Sequence, residues 1–202
     1  MTRALVLASA SPRRRALLSE LGVDFEVLAS DVPEQPLAGE DARAFATRVG
    51  REKAVEVAAE RPGHWVLAAD TVVVRSDGEI LGKPVDPDDA RRMLRGLSGC
   101  AHRVLTAVTL LPPAGTPADE VLVESTVTFR ALDEVEIAAY VDSGEPFDKA
   151  GAYAIQGGAG RFVVGVAGSY TNVVGLPVDE VRVLLRRHGL LPSAANAVEP
   201  SR

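Results

Sequence analysis

The chain contains very little cysteine, histidine and aromatic side chain. Its 202 residues include one cysteine, Cys100, and three histidines, and aromatic residues make up 4% of the sequence. A single cysteine excludes an internal disulfide framework and a cysteine-rich metal site, and it fits a reducing compartment. The histidines His64, His102 and His188 do not have the spacing of zinc ligands.

Long apolar runs and an excess of positive charge are also missing. No stretch of the sequence reaches the ~18 apolar residues that a membrane-spanning helix needs. The apolar run 4–10 precedes its basic cluster, so we expect no secretory signal. The formal net charge is -6, whereas proteins that bind nucleic acid usually carry an excess of Lys and Arg. We therefore expect a soluble, cytoplasmic protein that binds neither a membrane nor nucleic acid.

Hydrophobic residues are plentiful, at 47% of the chain. This composition and length allow one domain with a full core, or two small lobes around a cleft. A local basic pocket for one small anion is compatible with the negative net charge. The candidate cations are scattered along the sequence and comprise Arg13, Arg14, Arg15, Lys53, Lys83 and Lys149.

The segment 5–15 combines an apolar strand with small hydroxyl residues, a proline and three arginines. Ser11 is a suitable helix cap and Pro12 a suitable first residue, and we expect the helix to continue to Gly22. Its first backbone N–H groups and the positive end of its dipole would face the same region as Arg13. A phosphate would bind well there, although capped helices with solvated arginines are common.

One acidic residue, Asp70, interrupts the apolar run 65–74, which is typical of a buried strand. A buried carboxylate must be paired with Lys or Arg, bind a cation, or lie at an exposed strand end. Lys83 follows the next predicted turn, so we expect it near the same strand end. Glu34, in a loop after a strand, could join Asp70 around a hard divalent cation.

A long helix is predicted over residues 41–60. Phe45, Val49 and Lys53 recur at every fourth position, so the amine of Lys53 should project from the apolar stripe of this helix. Further on, Asp86-Pro87 predicts a helix that ends at Gly99, followed by two strands. Asp133 with Glu136 predicts a capping box, and a last helix is expected over residues 178–188.

The region 144–176 is rich in glycine, which indicates tight turns and close backbone approach. We expect residues 153–156 to form a strand that ends at Gln156. The amide of Gln156 offers the donor and the acceptor needed to read the edge of a nucleobase, although a structural hydrogen bond is the commoner role. The following glycines lack a complete dinucleotide fingerprint, and the sequence has no Walker loop.

Together these segments are similar to the Maf family of nucleoside triphosphate pyrophosphatases, from Leu5 to about Leu190. The resemblance is carried by Ser-Ala-Ser-Pro-Arg-Arg (9–14), Arg-Glu-Lys-Ala (51–54), Ala-Asp-Thr (69–71), Leu-Gly-Lys-Pro (81–84), Leu-Ser-Gly-Cys-Ala-His (97–102), Ser-Gly-Glu-Pro-Phe-Asp-Lys-Ala-Gly-Ala-Tyr-Ala-Ile-Gln-Gly (143–157) and Gly-Ser-Tyr-Thr-Asn-Val-Val-Gly-Leu-Pro (168–177). The form of the 143–157 motif resembles the subgroup that acts on dTTP and UTP.

The resemblance implies an α/β fold, with an elongated mixed β-sheet flanked by helices and two lobes around a central cleft. Residues 1–191 would form this single domain, and residues 192–202, which have no counterpart in the family, are predicted to be a disordered tail. The implied activity is hydrolysis of a nucleoside triphosphate to the monophosphate and pyrophosphate. The family also implies a divalent cation, Mg²⁺ or Mn²⁺, and a homodimer. An alternative is a nucleotide-sensing regulator of septum formation without significant turnover.

The resemblance also implies roles for individual residues. Asp70 would be the proton acceptor and, with Lys53 and Lys83, would form the catalytic set. The implied substrate-binding residues are Ser9, Arg13, Arg14, Thr71 and Gln156, of which Arg13, Thr71 and Gln156 would set substrate choice. Asp70 and Glu34 would hold the metal. Pro33 stands where the family often has a second acidic residue, so the metal shell departs from the family pattern there.

Overall fold

The computed structural model describes residues 4–113 and 117–191. Its helices are α1 (Pro12–Ser19), α2 (Ala42–Glu60), α3 (Pro87–Leu97), α4 (Glu134–Asp142), α5 (Tyr170–Val174) and α6 (Val178–Arg187). Its strands are β1 (Leu5–Leu7), β2 (Phe25–Val27), β3 (Trp65–Val74), β4 (Ile80–Leu81), β5 (Ala101–Leu111), β6 (Asp119–Phe129) and β7 (Val163–Ala167). The predicted tail, 192–202, lies outside the described residues.

The strands form one mixed sheet of seven, in the order β2-β1-β3-β5-β6-β7 with β4 also paired to β3. β1 is parallel to β2 and β3, and the remaining pairs are antiparallel. Helix α2 covers one face, and the other five helices pack against the opposite face. This arrangement confirms the predicted α/β fold with a mixed sheet flanked by helices.

Alternation along β3 places neighbouring side chains on opposite faces of the sheet. Val66, Ala68 and Val72 pack beneath α2, so Asp70 also points to the α2 face. Thr71 points to the other face, where it meets α1. Asp70 and Thr71, which are adjacent in β3, thus lie on opposite faces of the sheet.

One edge of β3 is open along part of its length, and both faces of the sheet can be reached from this edge. β1 pairs with β3 at residues 65–67, and β4 pairs with it at residues 73–74. Within the part of the chain that the structure describes, no strand lies beside residues 68–72 on that side. The chain that leaves β1 for α1 borders this gap. Side chains from both faces of β3 can therefore line one cavity at its edge.

The predicted helix starts are confirmed by their caps. The side chain of Ser11 accepts a hydrogen bond from the backbone of Arg14, and Asp86 caps α3 in the same way. The capping box of Asp133 and Glu136 is complete. Helices α1 and α3 end slightly before the predicted glycines, because the chain first forms a short turn.

The predicted strand at residues 153–156 is wrong. The backbone N–H of Ala154 donates to the hydroxyl of Tyr140 at 3.3 Å, and its carbonyl accepts from Gly157 at 3.1 Å. A side chain and a tight turn therefore satisfy groups that would otherwise pair with a neighbouring strand. Short 3₁₀ segments, Ala150–Ala152 and Gly158–Phe162, flank this stretch on both sides.

Candidate active site

Lys53 joins the two carboxylates that the sequence places in the site. Its Nζ donates to Asp70 Oδ1 at 2.7 Å and to Glu34 Oε1 at 2.6 Å. Lys53 and Asp70 are 4% and 5% exposed, so this ion pair is withdrawn from water. Lys83 Nζ donates to Glu34 Oε2 at 2.5 Å. The cation beside Asp70 is therefore Lys53, and Lys83 reaches Asp70 only through Glu34 and Lys53.

Helix α2 positions this group of charges. Lys53 follows Phe45 and Val49 on the buried side of the helix, as the sequence predicts. The same helix holds the loop that carries Glu34. Arg48 donates to the carbonyl of Gln35 at 3.0 Å, and its guanidinium also pairs with a carboxylate further along the loop. Helix α2 thus positions both Lys53 and the loop backbone that carries Glu34.

The two carboxylates have pKa values displaced in opposite directions. Burial raises the pKa of Asp70, and the positive charges of Lys53 and Arg14 offset only part of this rise. Burial acts in the same sense on Glu34, but the charges and hydrogen bonds of Lys53 and Lys83 outweigh it and lower the pKa of Glu34 to about 2. Glu34 therefore stays ionised, whereas Asp70 is the carboxylate more suited to accept a proton.

Arg14 is held by three different parts of the chain. Its Nε donates to the carbonyl of Gly175 at 2.8 Å, Nη2 donates to Thr71 Oγ1 at 3.0 Å and Nη1 donates to Ser9 Oγ at 3.3 Å. Burial lowers the pKa of Arg14, opposed by the negative charges of Asp70 and Glu34. These bonds tie α1 to β3 and to the end of α5, on the face of the sheet opposite α2.

The hydroxyl of Thr71 is engaged by the protein. It accepts from Arg14 and lies 2.9 Å from Thr106 Oγ1, whose own proton goes to the carbonyl of Asn172 at 3.0 Å. Thr71 therefore donates to Thr106. Through these bonds Thr71 fixes the guanidinium of Arg14, and its implied role in substrate choice stays a prediction.

All nine residues assigned to the site from the sequence line one cavity of about 840 Å³ at the open edge of β3. They are Ser9, Arg13, Arg14, Glu34, Lys53, Asp70, Thr71, Lys83 and Gln156. The start of α1 and the 153–156 stretch both line this cavity. The structure thus unites segments that lie far apart in the sequence, and the volume is adequate for a nucleotide.

The donor set of this cavity fits a divalent cation that arrives with phosphate ligands. In the described ranges, no group of three or more His, Cys, Asp or Glu side chains could hold a metal ion by itself. Mg²⁺ usually keeps several waters and takes only one or two carboxylates together with substrate phosphates. Asp70 and Glu34, which share the amine of Lys53, form such a pair of carboxylates.

The sequence alone assigns no role to several residues that support the site. Tyr153, which lines the cavity, forms a buried hydrogen bond of 2.8 Å with His102. Tyr140 and Glu145 bond to each other and to the backbone around Gln156. Glu145 lies within the longest family motif, which is the one signal that could have drawn attention to it. The contacts themselves depend on packing between distant segments, so periodicity cannot find them.

The fold and the cavity define an α/β protein with a cationic pocket at a break in a mixed sheet. The family model described as Maf-like protein matches residues 4–188. The chain belongs to this family. Within the described residues, the helices are all too short or too polar to cross a membrane.

Several relatives are named dTTP/UTP pyrophosphatase. The one from Geobacter sulfurreducens is 54% identical over 190 residues, which cover 93% of this chain and 97% of the relative. The one from Myxococcus xanthus is 55% identical over 186 residues, which cover 92% and 93% of the two chains. Among solved structures, a HAM1 protein from Coxiella burnetii matches with a TM-score of 0.51 and 14% identity, over 91% of this chain and 98% of that chain. This match to the HAM1 protein shows a similar fold only.

Proposed function

We propose that this protein is a nucleoside triphosphate pyrophosphatase that hydrolyses dTTP and UTP to the monophosphate and pyrophosphate. The observation that carries the proposal is a buried carboxylate, Asp70, on the wall of a cavity that also contains Arg13, Lys53 and Lys83. A cavity that only bound polyanions would gain nothing from a buried negative charge. Relatives at about half identity carry the name of this activity.

The phosphates bind at the side of the cavity formed by the start of α1. The guanidinium and the backbone N–H of Arg13 face phosphate oxygens there, where the helix dipole favours negative charge. The backbone N–H of Arg14 is already bonded to the cap, Ser11. Arg14 supports this wall through Ser9 and Thr71. Lys83, which is exposed and bonded to Glu34, lines the same cavity and supplies further positive charge there.

Asp70 accepts a proton from the attacking water. The water oxygen forms a bond to the α phosphorus, the bond from that phosphorus to the bridging oxygen breaks, and pyrophosphate leaves with the bonding electrons. The raised pKa of Asp70 brings its basicity nearer to neutral pH. Lys53 keeps the carboxylate oriented and balances the charge of both Asp70 and Glu34.

Asp70 and Glu34 are the residues that would hold a Mg²⁺ or Mn²⁺ ion. When bound, such an ion neutralises phosphate charge and aligns the oxygens of the triphosphate. The protein contributes two carboxylates and leaves the remaining positions to water and substrate.

Gln156 reads the base, since its exposed amide lines the cavity beside Ile155 and Ala154. A uracil or thymine ring presents both a donor and an acceptor on one edge, which a carboxamide can match. The test compares kcat/KM for UTP, dTTP, CTP and GTP before and after Gln156→Ala. We expect the preference for UTP and dTTP to fall, and unchanged ratios would remove Gln156 from this role.

Pyrophosphate release from these four nucleotides, with Mg²⁺ and with Mn²⁺, tests the proposed function as a whole. We expect release from UTP and dTTP above that from CTP and GTP. Saturable UTP binding without pyrophosphate release would support the alternative, a nucleotide-sensing regulator. That alternative is not favoured, because the curated relatives are named as enzymes.

The location and assembly of the protein remain proposals that rest on the family resemblance. We propose a cytoplasmic homodimer that acts on small nucleotides and does not bind nucleic acid, in keeping with a net charge of -6. Light scattering on the purified protein would give the mass of the assembly. A steep loss of RNA binding with rising salt would contradict the last part of the proposal.

A further inference from the structure

A loop of five residues, 154–158, carries Gln156 at its centre and is held from behind at both ends. At its start, the backbone N–H of Ala154 donates to the hydroxyl of Tyr140 at 3.3 Å. At its end, the backbone N–H of Gly158 donates to Glu145 Oε2 at 3.0 Å. Tyr140 in turn donates to Glu145 Oε1 at 2.9 Å, so one connected pair of side chains holds the whole loop.

This pair is itself rigidly placed. Tyr140 is 2% exposed and its ring packs edge-on against Phe162 at 5.4 Å between centroids. Burial raises the pKa of Tyr140, and the bond to Glu145 adds to the rise, so the hydroxyl remains a proton donor across the working pH range. The amine of Lys149 donates to the backbone carbonyl of Glu145 at 2.6 Å.

Glu145 also packs directly on the backbone of the loop. A Cβ atom added at Gly157 would lie 1.9 Å from Glu145 Oε1 and 2.6 Å from its Cδ. A side chain at position 157 would push this carboxyl group away and break its hydrogen bonds to Tyr140 and Gly158. Glycine at position 157 therefore allows Glu145 to keep both bonds.

We propose that Tyr140 and Glu145 are positioning residues that set the base preference of the site by fixing the 154–158 loop behind Gln156. The inference rests on the proposed function, because that function makes this loop the part of the cavity that reads the base. Neither Tyr140 nor Glu145 lines the cavity, whereas Asp70, Lys53 and Arg13 do.

A fixed loop is needed because a carboxamide alone discriminates weakly. If its orientation were not fixed, the amide of Gln156 could turn over and exchange its donor and acceptor, and it would then match cytosine as well as uracil. Backbone N–H and carbonyl groups cannot exchange in this way. When the loop is held, its backbone groups keep a constant orientation relative to the bound base. A base whose edge carries a different pattern of donors and acceptors then leaves polar groups unpaired.

The test uses Tyr140→Phe, which removes the hydroxyl that joins Ala154 to Glu145, and Glu145→Gln, which keeps the side-chain volume. The control is Glu134→Gln, at the exposed start of the same helix, where the carboxylate pairs with Arg95. Calorimetric titration with the α,β-imido analogues of UTP and CTP gives the affinity ratio without turnover. Pyrophosphate release from UTP gives kcat on the same preparations.

We expect the affinity ratio of the UTP analogue to the CTP analogue to fall roughly tenfold in both Tyr140→Phe and Glu145→Gln. The kcat for UTP should stay nearly unchanged, and the control Glu134→Gln should equal wild type. An affinity ratio of the UTP analogue to the CTP analogue that is closer to wild type in Glu145→Gln than in Glu145→Ala would support a positioning role. An unchanged ratio in Tyr140→Phe and Glu145→Gln would overturn the proposal, as would a wild-type protein without preference for the uracil analogue. If Tyr140→Phe unfolds, Glu145→Gln decides the test.

The two proposals fail in different ways. A wild-type protein that prefers the uracil analogue but releases no pyrophosphate would contradict the proposed function, and the affinity ratios of the variants would still decide the role of Tyr140 and Glu145. Normal pyrophosphate release with unchanged ratios would overturn the positioning role alone.

Discussion

Lys53 and Asp70 form an ion pair across the packing of α2 on β3, with 2.7 Å between the amine and the carboxylate and 6% exposure of each side chain. Without Lys53 the carboxylate of Asp70 would lose the cation bonded to it, and an unpaired buried charge is strongly destabilising. The pair therefore supports the fold as well as the site.

Replacement of the lysine tests the structural part of this relationship. Lys53→Met leaves Asp70 buried without its closest cation, so we expect a loss of about 3 kcal/mol in the free energy of unfolding at neutral pH. Urea titration followed by circular dichroism measures it. The control is Arg51→Met on the same helix, which breaks a half-exposed pair with Glu120 and should cost less than about 1 kcal/mol. Equal losses in the two variants would contradict the buried pairing.

The pH dependence of turnover provides a second test. Asp70 must be ionised to accept a proton, so kcat/KM falls as the pH drops through the pKa of Asp70, which burial raises. The charge of Lys53 lowers this pKa and that of Glu34 raises it. Lys53→Met should therefore move the acid limb of the profile to higher pH, and Glu34→Gln should move it to lower pH.

The control for these profiles is Glu120→Gln, a carboxylate outside the cavity that pairs with Arg51. It should leave the acid limb in place. Shifts of the same sign in Lys53→Met and Glu34→Gln would exclude Asp70 as the group that controls this limb.

His102 makes stability sensitive to acid. Burial lowers the pKa of His102 to about 4, below the ordinary value of about 6.5. The unfolded chain therefore binds a proton at this histidine before the folded chain does, and stability is lost as the pH falls from about 6.5 towards 4. Between pH 7 and 4.5 this amounts to about 2 to 3 kcal/mol.

Urea titrations of wild type and His102→Gln at these two pH values measure the effect. The fall in unfolding free energy should be smaller in the variant by about 2 kcal/mol, and His64→Gln, near the surface, should behave as wild type. An equal fall in wild type and His102→Gln would show that other groups cause the acid sensitivity.

Gly157 provides a steric test of the 154–158 loop. Gly157→Ala places a methyl group on the carboxylate of Glu145, so we expect a loss of about 1 to 3 kcal/mol in stability and weaker preference for UTP over CTP. Gly165→Ala is the matched control, because a Cβ there meets no atom within 4 Å. Thermal unfolding and kcat/KM ratios measure both effects. Wild-type behaviour of Gly157→Ala would contradict the contact.

Local patterns predict the parts of the fold that depend on local physics. The spacing of Phe45, Val49 and Lys53 places the amine of Lys53 on the buried face of α2, as the structure confirms. Asp133 and Glu136 likewise form the predicted capping box. The apolar run around Asp70 correctly indicates a buried strand, since its burial is continuous on both faces of the sheet.

The rest depends on contacts between segments far apart in the chain. The sequence cannot show that Lys53, rather than Lys83, pairs with Asp70, because the choice follows from how α2 packs on β3. The stretch 153–156 has the composition of a strand, but Tyr140 and Glu145 take over its backbone hydrogen bonds. Both outcomes are decided by tertiary packing, which overrides local preference.

The most direct measurement of the central claim is the rate of pyrophosphate release from UTP by Asp70→Asn. If Asp70 is the proton acceptor, kcat should fall by on the order of 10² to 10⁴, while circular dichroism and UTP binding show a folded protein. Asp142→Asn, an exposed carboxylate at the end of α4, should retain full activity. Wild-type turnover by Asp70→Asn would contradict the account.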